Sequence, residues 1–201
     1  MKITMIDSNA KGIETMVQAL GICRNKECTA TSLIHAMDAK PVPHASVLEF
    51  AWVCLLVEGV SVKTRIQLER HRMFSSIERS TRSIDMSHKE CIIPSTTMDT
   101  KSLDYNCLEA MGNYSDAIFM GESYEDASYL LPLAIETSFF LAGNLRVFFE
   151  YFSKRLCSKH VQDEHYRMAL EMYIIICKEY PIMRKAQPCK ACGMCKEENN
   201  E

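Results

Sequence analysis

Hydrophobic and polar positions follow different periods along the N-terminal half of the chain, and each period predicts a different element. Apolar and polar side chains alternate over residues 2–7, which predicts a first strand. Helices are expected over residues 12–24 and 27–39, because two prolines follow the second of these stretches. The uninterrupted apolar run over residues 50–57 predicts a strand that is buried on both faces, ending before Gly59.

The segment after this strand begins with a helix signal and then loses its regularity. Ser61 is the predicted N-cap of a helix that ends near Arg72, with Val62 and Ile66 facing the core. Residues 73–104 have no clear period, and their one strand candidate is the short apolar stretch 91–93.

The last third of the chain has the clearest helical periodicity. Helices are expected over residues 103–120, from about residue 145, and over residues 162–180. The last two each have an apolar stripe, Leu145, Phe149, Phe152 and Leu156 in one, and Met168, Met172 and Ile176 in the other. Strands mixed irregularly with helices, without a linker or internal repeat, predict an α+β fold with a mainly antiparallel sheet packed by helices. We expect one domain over residues 1–184 and a polar, cysteine-rich tail over residues 185–201.

Composition narrows the class of protein. The 201 residues are 47% hydrophobic and 24% charged, as in an average globular protein. No apolar run approaches the eighteen residues or so of a membrane span, and the N-terminus lacks the pattern of a signal peptide, so we expect a cytoplasmic protein without membrane contact. The net charge of -3 argues against a general nucleic-acid coat.

The ten cysteines fit a reducing compartment better than a disulfide framework, since no secretory signal is seen. Several lie in apolar stretches, where a thiol behaves as a small hydrophobic group. The spacing of Cys189, Cys192 and Cys195 is that of metal ligands, but three thiols leave a four-thiolate site incomplete. We favour a tail without metal; a zinc or cluster site and occasional disulfides are the alternatives.

A basic segment stands out in this acidic chain. Residues 63–82 contain six Lys or Arg and two Glu, a net charge of about +4. The six basic residues are Lys63, Arg65, Arg70, Arg72, Arg79 and Arg82. A solvated basic face is the simplest interpretation. However, the contiguous Arg70, His71 and Arg72 would point three ways on a helix, so they fit better where a helix ends. Arg forks together with the hydroxyl of Ser80 are typical of a phosphate or pyrophosphate site.

Arg155 is the second candidate. On a helix it shares one line with Asn144, Phe148 and Tyr151, beside the core stripe. Such an arginine either packs its stem and keeps its head in water, or presents a fixed charge to a planar ligand in a half-dry pocket.

The basic segment resembles the signature of the flavin-dependent thymidylate synthases: Arg70-His71-Arg72, seven residues, then Ser80. The resemblance extends over about residues 44–180 and retains the family's order of motifs. The other matching segments are His44-Ala45-Ser46 with Glu49, Gln67, Leu131-Pro132, Asn144-x-Arg146, Arg155, and His160-Val161-Gln162-x-Glu164.

The resemblance implies a homotetramer that holds FAD between subunits, with dUMP against the flavin, methylenetetrahydrofolate as carbon donor and NADPH as reductant. The FAD contacts that it implies are Ser46, Arg70, His71, Arg72, Glu78, Asn144, Arg146 and His160. The dUMP contacts that it implies are Gln67, Arg70, Glu78, Arg79, Ser80, Arg82, Arg155 and the residue at position 128, here Ser128.

By the same resemblance, Arg155 is the catalytic residue, binding the uracil edge and favouring ionisation at N3. A guanidinium beside an imide stabilises the charged form and lowers its pKa, which raises the electron density at C5. The flavin carries the hydride chemistry, so no protein nucleophile is needed and we expect all ten cysteines to be non-catalytic. His35, His88 and His165 are interpreted as ordinary surface or core histidines.

The sequence departs from the family pattern at several positions. Ser128 stands where an arginine usually contacts the nucleotide, so it can donate a hydrogen bond but supplies no charge. Glu150 replaces a neutral side chain near FAD and predicts an i,i+4 pair with Arg146. Val47 and Ser83 replace a frequent proline and a common aromatic residue.

These departures leave two alternatives to dUMP methylation. One is a related C5 methylase or hydroxymethylase acting on another pyrimidine nucleotide such as dCMP. The other is a non-catalytic flavin- or RNA-binding homologue whose basic segment contacts phosphates.

Overall fold

The computed structural model describes residues 1–38 and 44–185. The strands are β1 (Lys2–Ser8), β2 (Trp52–Ser61), β3 (Ser75–Glu78) and β4 (Glu136–Asn144). The α-helices are α1 (Gly12–Arg24), α2 (Ala30–Asp38), α3 (Val62–Leu68), α4 (Thr100–Phe119), α5 (Tyr124–Ala127), α6 (Leu145–Arg155) and α7 (Asp163–Glu179). Short 3-10 helices cover Ala45–Phe50, Ser128–Leu130 and Pro181–Lys185. Among these described helices, none combines the length and the apolar character that crossing a bilayer requires.

The four strands form one sheet in the order β1-β2-β4-β3. The amide of Leu145 donates to the carbonyl of Ala51 at 2.8 Å, and the amide of Val62 donates to the carbonyl of Ile135 at 3.0 Å. Residue numbers therefore rise along β2 as they fall along β4, which is the antiparallel register. The α+β fold with an antiparallel sheet is confirmed.

The described residues pack as two compact units that are each discontinuous in sequence. The first unit comprises Met1–Lys2, Val57–Arg70 and Ile77–Phe139. The second unit comprises the described residues of Ile3–Leu56, of His71–Ser76 and of the chain after position 139.

The core of the first unit anchors an irregular segment to α4. Its buried cluster consists of Met86, Met111, Tyr114, Ala127 and Ile135. The amide of Met86 donates to the hydroxyl of Tyr114 at 3.1 Å, so the buried phenol has a partner. Ser61 caps α3 as predicted, since its hydroxyl accepts from the amide of Thr64 at 3.1 Å.

The core of the second unit is formed largely by α6 and α7. The buried positions of α6 are Leu145, Phe148, Tyr151 and Phe152, and α7 buries Met168, Met172 and Ile176 as predicted. At the other end of the unit, the hydroxyl of Tyr180 donates to the carbonyl of Asn9 at 3.0 Å. Gly12 permits this approach, because a Cβ atom there would lie 2.8 Å from the Tyr180 hydroxyl.

The sheet corrects three predictions. β2 is fully buried on one face only: Val53, Leu55 and Val57 are inaccessible, whereas Trp52 is exposed. The sequence did not reveal this alternation of burial, because residues 52–57 are all apolar. β3 and the central strand β4 had no counterpart in the sequence prediction, and residues 91–93 contribute only an isolated bridge between Cys91 and Ile135.

The helices also depart from the prediction in places. α3 ends at Leu68 and not near Arg72, and it turns Thr64, Arg65 and Leu68 inward, leaving Ile66 46% exposed. The guanidinium of Arg65 lies 5.0 Å from the centre of the Phe139 ring, a cation–π contact that favours its burial. α2 begins three residues later than expected, at Ala30.

Candidate functional site

The Arg70-His71-Arg72 motif lies in the turn between α3 and β3. The sequence analysis placed it at the end of a helix, but that helix ends at Leu68, before the motif. Arg70 and Arg72 are exposed, while His71 is partly buried. Within the described residues, no carboxylate lies within 4.0 Å of either arginine's guanidinium. Both side chains are therefore available to an anionic ligand.

His71 and Arg155 contact each other in the second unit. Arg155 is the last residue of α6, and its Nε donates to Nε2 of His71 at 3.0 Å. Because an arginine can only donate, Nε2 must carry a lone pair, so His71 is the neutral Nδ1–H tautomer. Burial, and then the charges of Arg155 and Lys154, lower the pKa of His71 to about 4. At neutral pH the site therefore combines one fixed cation with an uncharged imidazole.

Aromatic rings pack against the His71 side of this pair. The ring of Tyr151 meets that of His71 edge-on, with centroids 4.9 Å apart. Phe74 packs against Phe148 at 4.8 Å and against Tyr151 at 5.6 Å. A Cβ atom on Gly143 would approach the Phe74 ring to 2.8 Å, so this glycine permits the close packing. The aromatic line that was predicted on α6 thus positions Arg155 beside His71.

A second histidine, which the sequence analysis interpreted as an ordinary surface or core histidine, lies buried in the same cluster. His165 of α7 is fully buried, and one ring nitrogen lies 3.1 Å from the hydroxyl of Tyr151. Burial, and then the charges of Arg155 and His71, lower the pKa of His165 to about 3. Burial also raises the pKa of the Tyr151 phenol, so both groups are uncharged at neutral pH.

Acid should therefore destabilise the protein through His165. In the unfolded chain the pKa of His165 is about 6.5, whereas in the folded protein it is about 3. The unfolded state therefore binds a proton more readily, so the free energy of unfolding decreases as the pH falls below about 6.5. Between pH 7 and pH 5 we expect a loss of about 2 kcal/mol from this residue. Urea unfolding of the parent and of His165→Gln across this range measures it. The variant should have a flatter pH dependence, whereas Met168→Leu, a buried apolar change on the same helix, should not. Equal pH dependences in all three proteins would contradict this assignment.

The first unit holds a separate charged cluster around Glu78. Its Oε2 lies 3.6 Å from Nε of Arg65, and the hydroxyl of Thr137 donates to its Oε1 at 2.8 Å. Burial nevertheless raises the pKa of Glu78 above its ordinary value, and the hydrogen bond from Thr137 and the charge of Arg65 oppose the rise.

The residues that follow Glu78 supply further donors. Arg79 donates from one terminal nitrogen to the hydroxyl of Ser138 at 3.1 Å. Its other terminal nitrogen is buried, makes no hydrogen bond, and lies 3.7 Å from a Glu136 oxygen. A buried donor without a hydrogen bond is costly, and the charge of the nearby Glu136 carboxylate offsets part of that cost.

Two predicted substrate contacts, Arg82 and Ser128, both bond to Glu125. Arg82 forms an exposed ion pair with Glu125 at 3.4 Å. The hydroxyl of Ser128 donates to the carbonyl of Glu125 at 2.6 Å, a bond within its own helical turn. The hydroxyl of Ser80 donates to Ser83 at 3.3 Å, and Gln67 lies in α3.

In the second unit, the predicted cofactor contacts Arg146 and Asn144 each bond to a partner within the chain. Arg146 contacts Glu49 and also Glu150 at 3.3 Å, which confirms the expected i,i+4 pair and adds a carboxylate that the sequence did not indicate. The side-chain oxygen of Asn144 accepts from the amide of Val147 at 3.0 Å and so caps α6. Further predicted residues are the exposed Ser46 and His160. Cys189, Cys192 and Cys195 lie outside the described residues, among which no three His, Cys, Asp or Glu side chains are grouped to hold a metal.

Comparison with known proteins identifies the family of this chain. The model of the thymidylate synthase complementing protein family matches residues 4–182 of the chain. The chain belongs to the flavin-dependent thymidylate synthase family. A relative of that name from Saccharolobus solfataricus is 34% identical over 144 residues, which cover 70% of this chain and 55% of the relative. Another, from Pyrococcus abyssi, is 27% identical over 98% of this chain and 90% of its own length.

Two solved structures, one of a thymidylate synthase and one of a UMP/dUMP methylase, share the fold. Thymidylate synthase X from Helicobacter pylori, crystallised with FAD and dUMP, superposes with a TM-score of 0.77 at 18% identity, over 92% of this chain and 99% of that one. The UMP/dUMP methylase PolB from Streptomyces cacaoi, crystallised with 5-Br dUMP, gives a TM-score of 0.74 at 20% identity, over 92% and 93%.

Proposed function

We propose that this member of the family is a cytoplasmic thymidylate synthase that methylates C5 of dUMP. Methylenetetrahydrofolate is the proposed carbon donor, and NADPH supplies the electrons through FAD. The observation that carries the proposal is the hydrogen bond from Arg155 to a neutral His71 against which aromatic rings pack. It supports a fixed positive charge in a partly dry place, where a planar ligand that develops negative charge is stabilised most.

The donors around the motif fit a cofactor with a pyrophosphate. Arg70 and Arg72 are exposed without carboxylate partners in the described chain, which supports their binding an anionic group. We assign FAD binding to Arg70, His71 and Arg72, with Ser46, Glu78, Asn144, Arg146 and His160 as further contacts. When bound, FAD supplies hydride chemistry, which no protein side chain provides.

The nucleotide contacts are proposed on the same chemical grounds. Guanidinium forks and hydroxyl groups bind phosphate and ribose oxygens, and the residues assigned to dUMP are Gln67, Arg70, Glu78, Arg79, Ser80, Arg82, Ser128 and Arg155. Only one terminal nitrogen of Arg82 contacts Glu125, and this exposed ion pair contributes little, so a ligand can readily replace it.

Arg155 is the proposed catalytic residue. The hydrogen bond to His71 uses only the Nε of Arg155. Within the described chain, the two terminal nitrogens of Arg155 therefore remain available to a ligand. We propose that they bind the uracil edge and stabilise negative charge at N3, which raises electron density at C5. No cysteine nucleophile is required in this scheme.

The experiment that tests the proposal measures the oxidation of NADPH by the purified, flavin-loaded protein. Addition of dUMP should accelerate the oxidation, since bound nucleotide completes the site. A parallel assay with dCMP tests the alternative substrate, which one observation favours: the Ser128 hydroxyl is bonded to the Glu125 carbonyl and brings no charge to the nucleotide. If dCMP accelerates NADPH oxidation and dUMP does not, the substrate is dCMP in place of dUMP. If neither nucleotide accelerates it and no flavin is retained, the result favours a non-catalytic homologue.

We further propose a homotetramer with sites shared between subunits. The basic segment has a net charge of about +4 within twenty residues, and anionic ligands bridging subunits would relieve the repulsion. Multi-angle light scattering of the flavin-loaded protein should give four times the 23.0 kDa of one chain. A monomer that retains FAD at the same concentration would refute the shared site.

A further inference from the structure

A hydrogen bond behind the Arg155–His71 pair links it to the next helix. His165 of α7 is buried with one ring nitrogen 3.1 Å from the hydroxyl of Tyr151, and the two rings lie 5.8 Å apart between centroids. Both side chains are fully buried, so neither group exchanges this partner for solvent. Loss of the contact would leave a polar group in the core without that partner, which is costly.

Tyr151 contacts the histidine of the pair and shares a helix face with the arginine. Its ring meets His71 edge-on at 4.9 Å with an interplanar angle of 85°. Arg155 follows it by four residues on α6, so both side chains lie on one helix face. The orientation of Tyr151 therefore bears on both partners of the hydrogen bond between Arg155 and His71.

We propose that His165 is a positioning residue for the reaction, which through Tyr151 holds His71 and Arg155 in their hydrogen-bonded arrangement. This inference rests on the proposed function of Arg155. His165 fixes the phenol at its hydroxyl end, the phenol supports the imidazole of His71, and the imidazole orients the guanidinium by accepting from Nε. Without that support, Arg155 has the reach to turn its head into solvent while its stem stays packed.

The protonation of His71 reports on this arrangement. The charged and titratable groups that face it are Arg155, Lys154 and Tyr151 on α6 and His165 on α7. While Arg155 donates to Nε2, that nitrogen cannot bind a proton. If Arg155 is released, the nitrogen is freed and the nearest positive charge moves away, so proton binding becomes easier.

The test is a pH titration of the His71 ring by nitrogen-15 NMR, in the full-length protein without substrate. In His165→Phe and in Tyr151→Phe, each of which removes the hydrogen bond from one side, we expect the pKa of His71 to rise by about one unit or more. His165→Gln retains a side chain that can bond the phenol and should restore most of the parent value. Met168→Leu, a buried apolar change on the same helix, is the control and should leave the His71 titration unchanged.

Turnover supplies the second measurement. With dUMP and flavin saturating, His165→Phe should lower kcat about tenfold with little change in the KM for dUMP, as expected when orientation is lost and binding is kept. An unchanged His71 pKa in Tyr151→Phe, or in His165→Phe, overturns the positioning role, and the tyrosine variant decides if the histidine variant does not fold. If the parent protein shows no dUMP-dependent oxidation, the proposed function fails, while the NMR titration still decides the positioning role.

Discussion

Replacement of Arg155 by alanine should lower kcat by about 30- to 1000-fold at saturating dUMP and FAD. The loss corresponds to about 2–4 kcal/mol of transition-state stabilisation, the usual cost of removing one preorganised donor. The physical reason is that the hydrogen bond from its Nε to the neutral His71 holds the guanidinium in place, so its terminal nitrogens are preorganised for the ligand. Steady-state rates of dTMP formation at saturating ligand separate this chemical loss from a loss of binding.

Two further variants distinguish charge from geometry. Arg155→Lys keeps the charge but lacks the planar fork, so it should retain FAD and lose much of its turnover. Arg72→Ala, at an exposed arginine of the motif, should mainly weaken flavin retention. If Arg155→Ala turned over like the parent under saturating conditions, the role assigned to Arg155 would be wrong, whatever the fold.

Phe148→Ala should give the largest loss of stability, about 3–5 kcal/mol, because it removes a fully buried ring from the second unit. Phe148 contacts Phe74 at 4.8 Å and Phe152 at 5.9 Å, so the cavity would open among the aromatic rings that pack near His71. Chemical unfolding followed by circular dichroism measures the change in the free energy of unfolding.

The control for this change is a phenylalanine on the exposed face of β4. Phe140 is 41% exposed, and Phe140→Ala should cost far less stability. Similar losses in the two variants would show that the Phe148 ring does not carry the packing that we assign to it.

The helical elements could be predicted because their stripes are regular. α1 has the predicted bounds of residues 12–24, and the buried Met168, Met172 and Ile176 of α7 are those of the predicted stripe. Phe148 and Tyr151, which share the predicted line with Arg155 on α6, are both buried, since helical spacing alone fixes which side chains share a face.

The central strand was missed although its signal was present. Thr137, Phe139 and Leu141 are buried in β4 and alternate with less buried neighbours, which is a period of two. β3 is a different case, because it has only four residues and most of them are exposed, so neither length nor burial marks it in the sequence.

Tertiary contacts set the parts of the site that could not be predicted. The bond between His165 and Tyr151 joins side chains fourteen positions apart on two helices, and the Arg155–His71 bond spans eighty-four positions. No local period encodes such pairings, so His165 looked like an ordinary core histidine. The motif resemblance named His71 and Arg155 as separate contacts but said nothing about their hydrogen bond.

The most direct test of the central claim is a product analysis with methylenetetrahydrofolate labelled in its methylene carbon. The flavin-loaded protein, supplied with NADPH and dUMP, should form dTMP that carries the label in its C5 methyl group, with one NADPH consumed for each dTMP. Omission of NADPH should abolish multiple turnover. Labelled dTMP in this ratio is the result that the account predicts; flavin-loaded protein that oxidises NADPH but leaves dUMP unmethylated would contradict it.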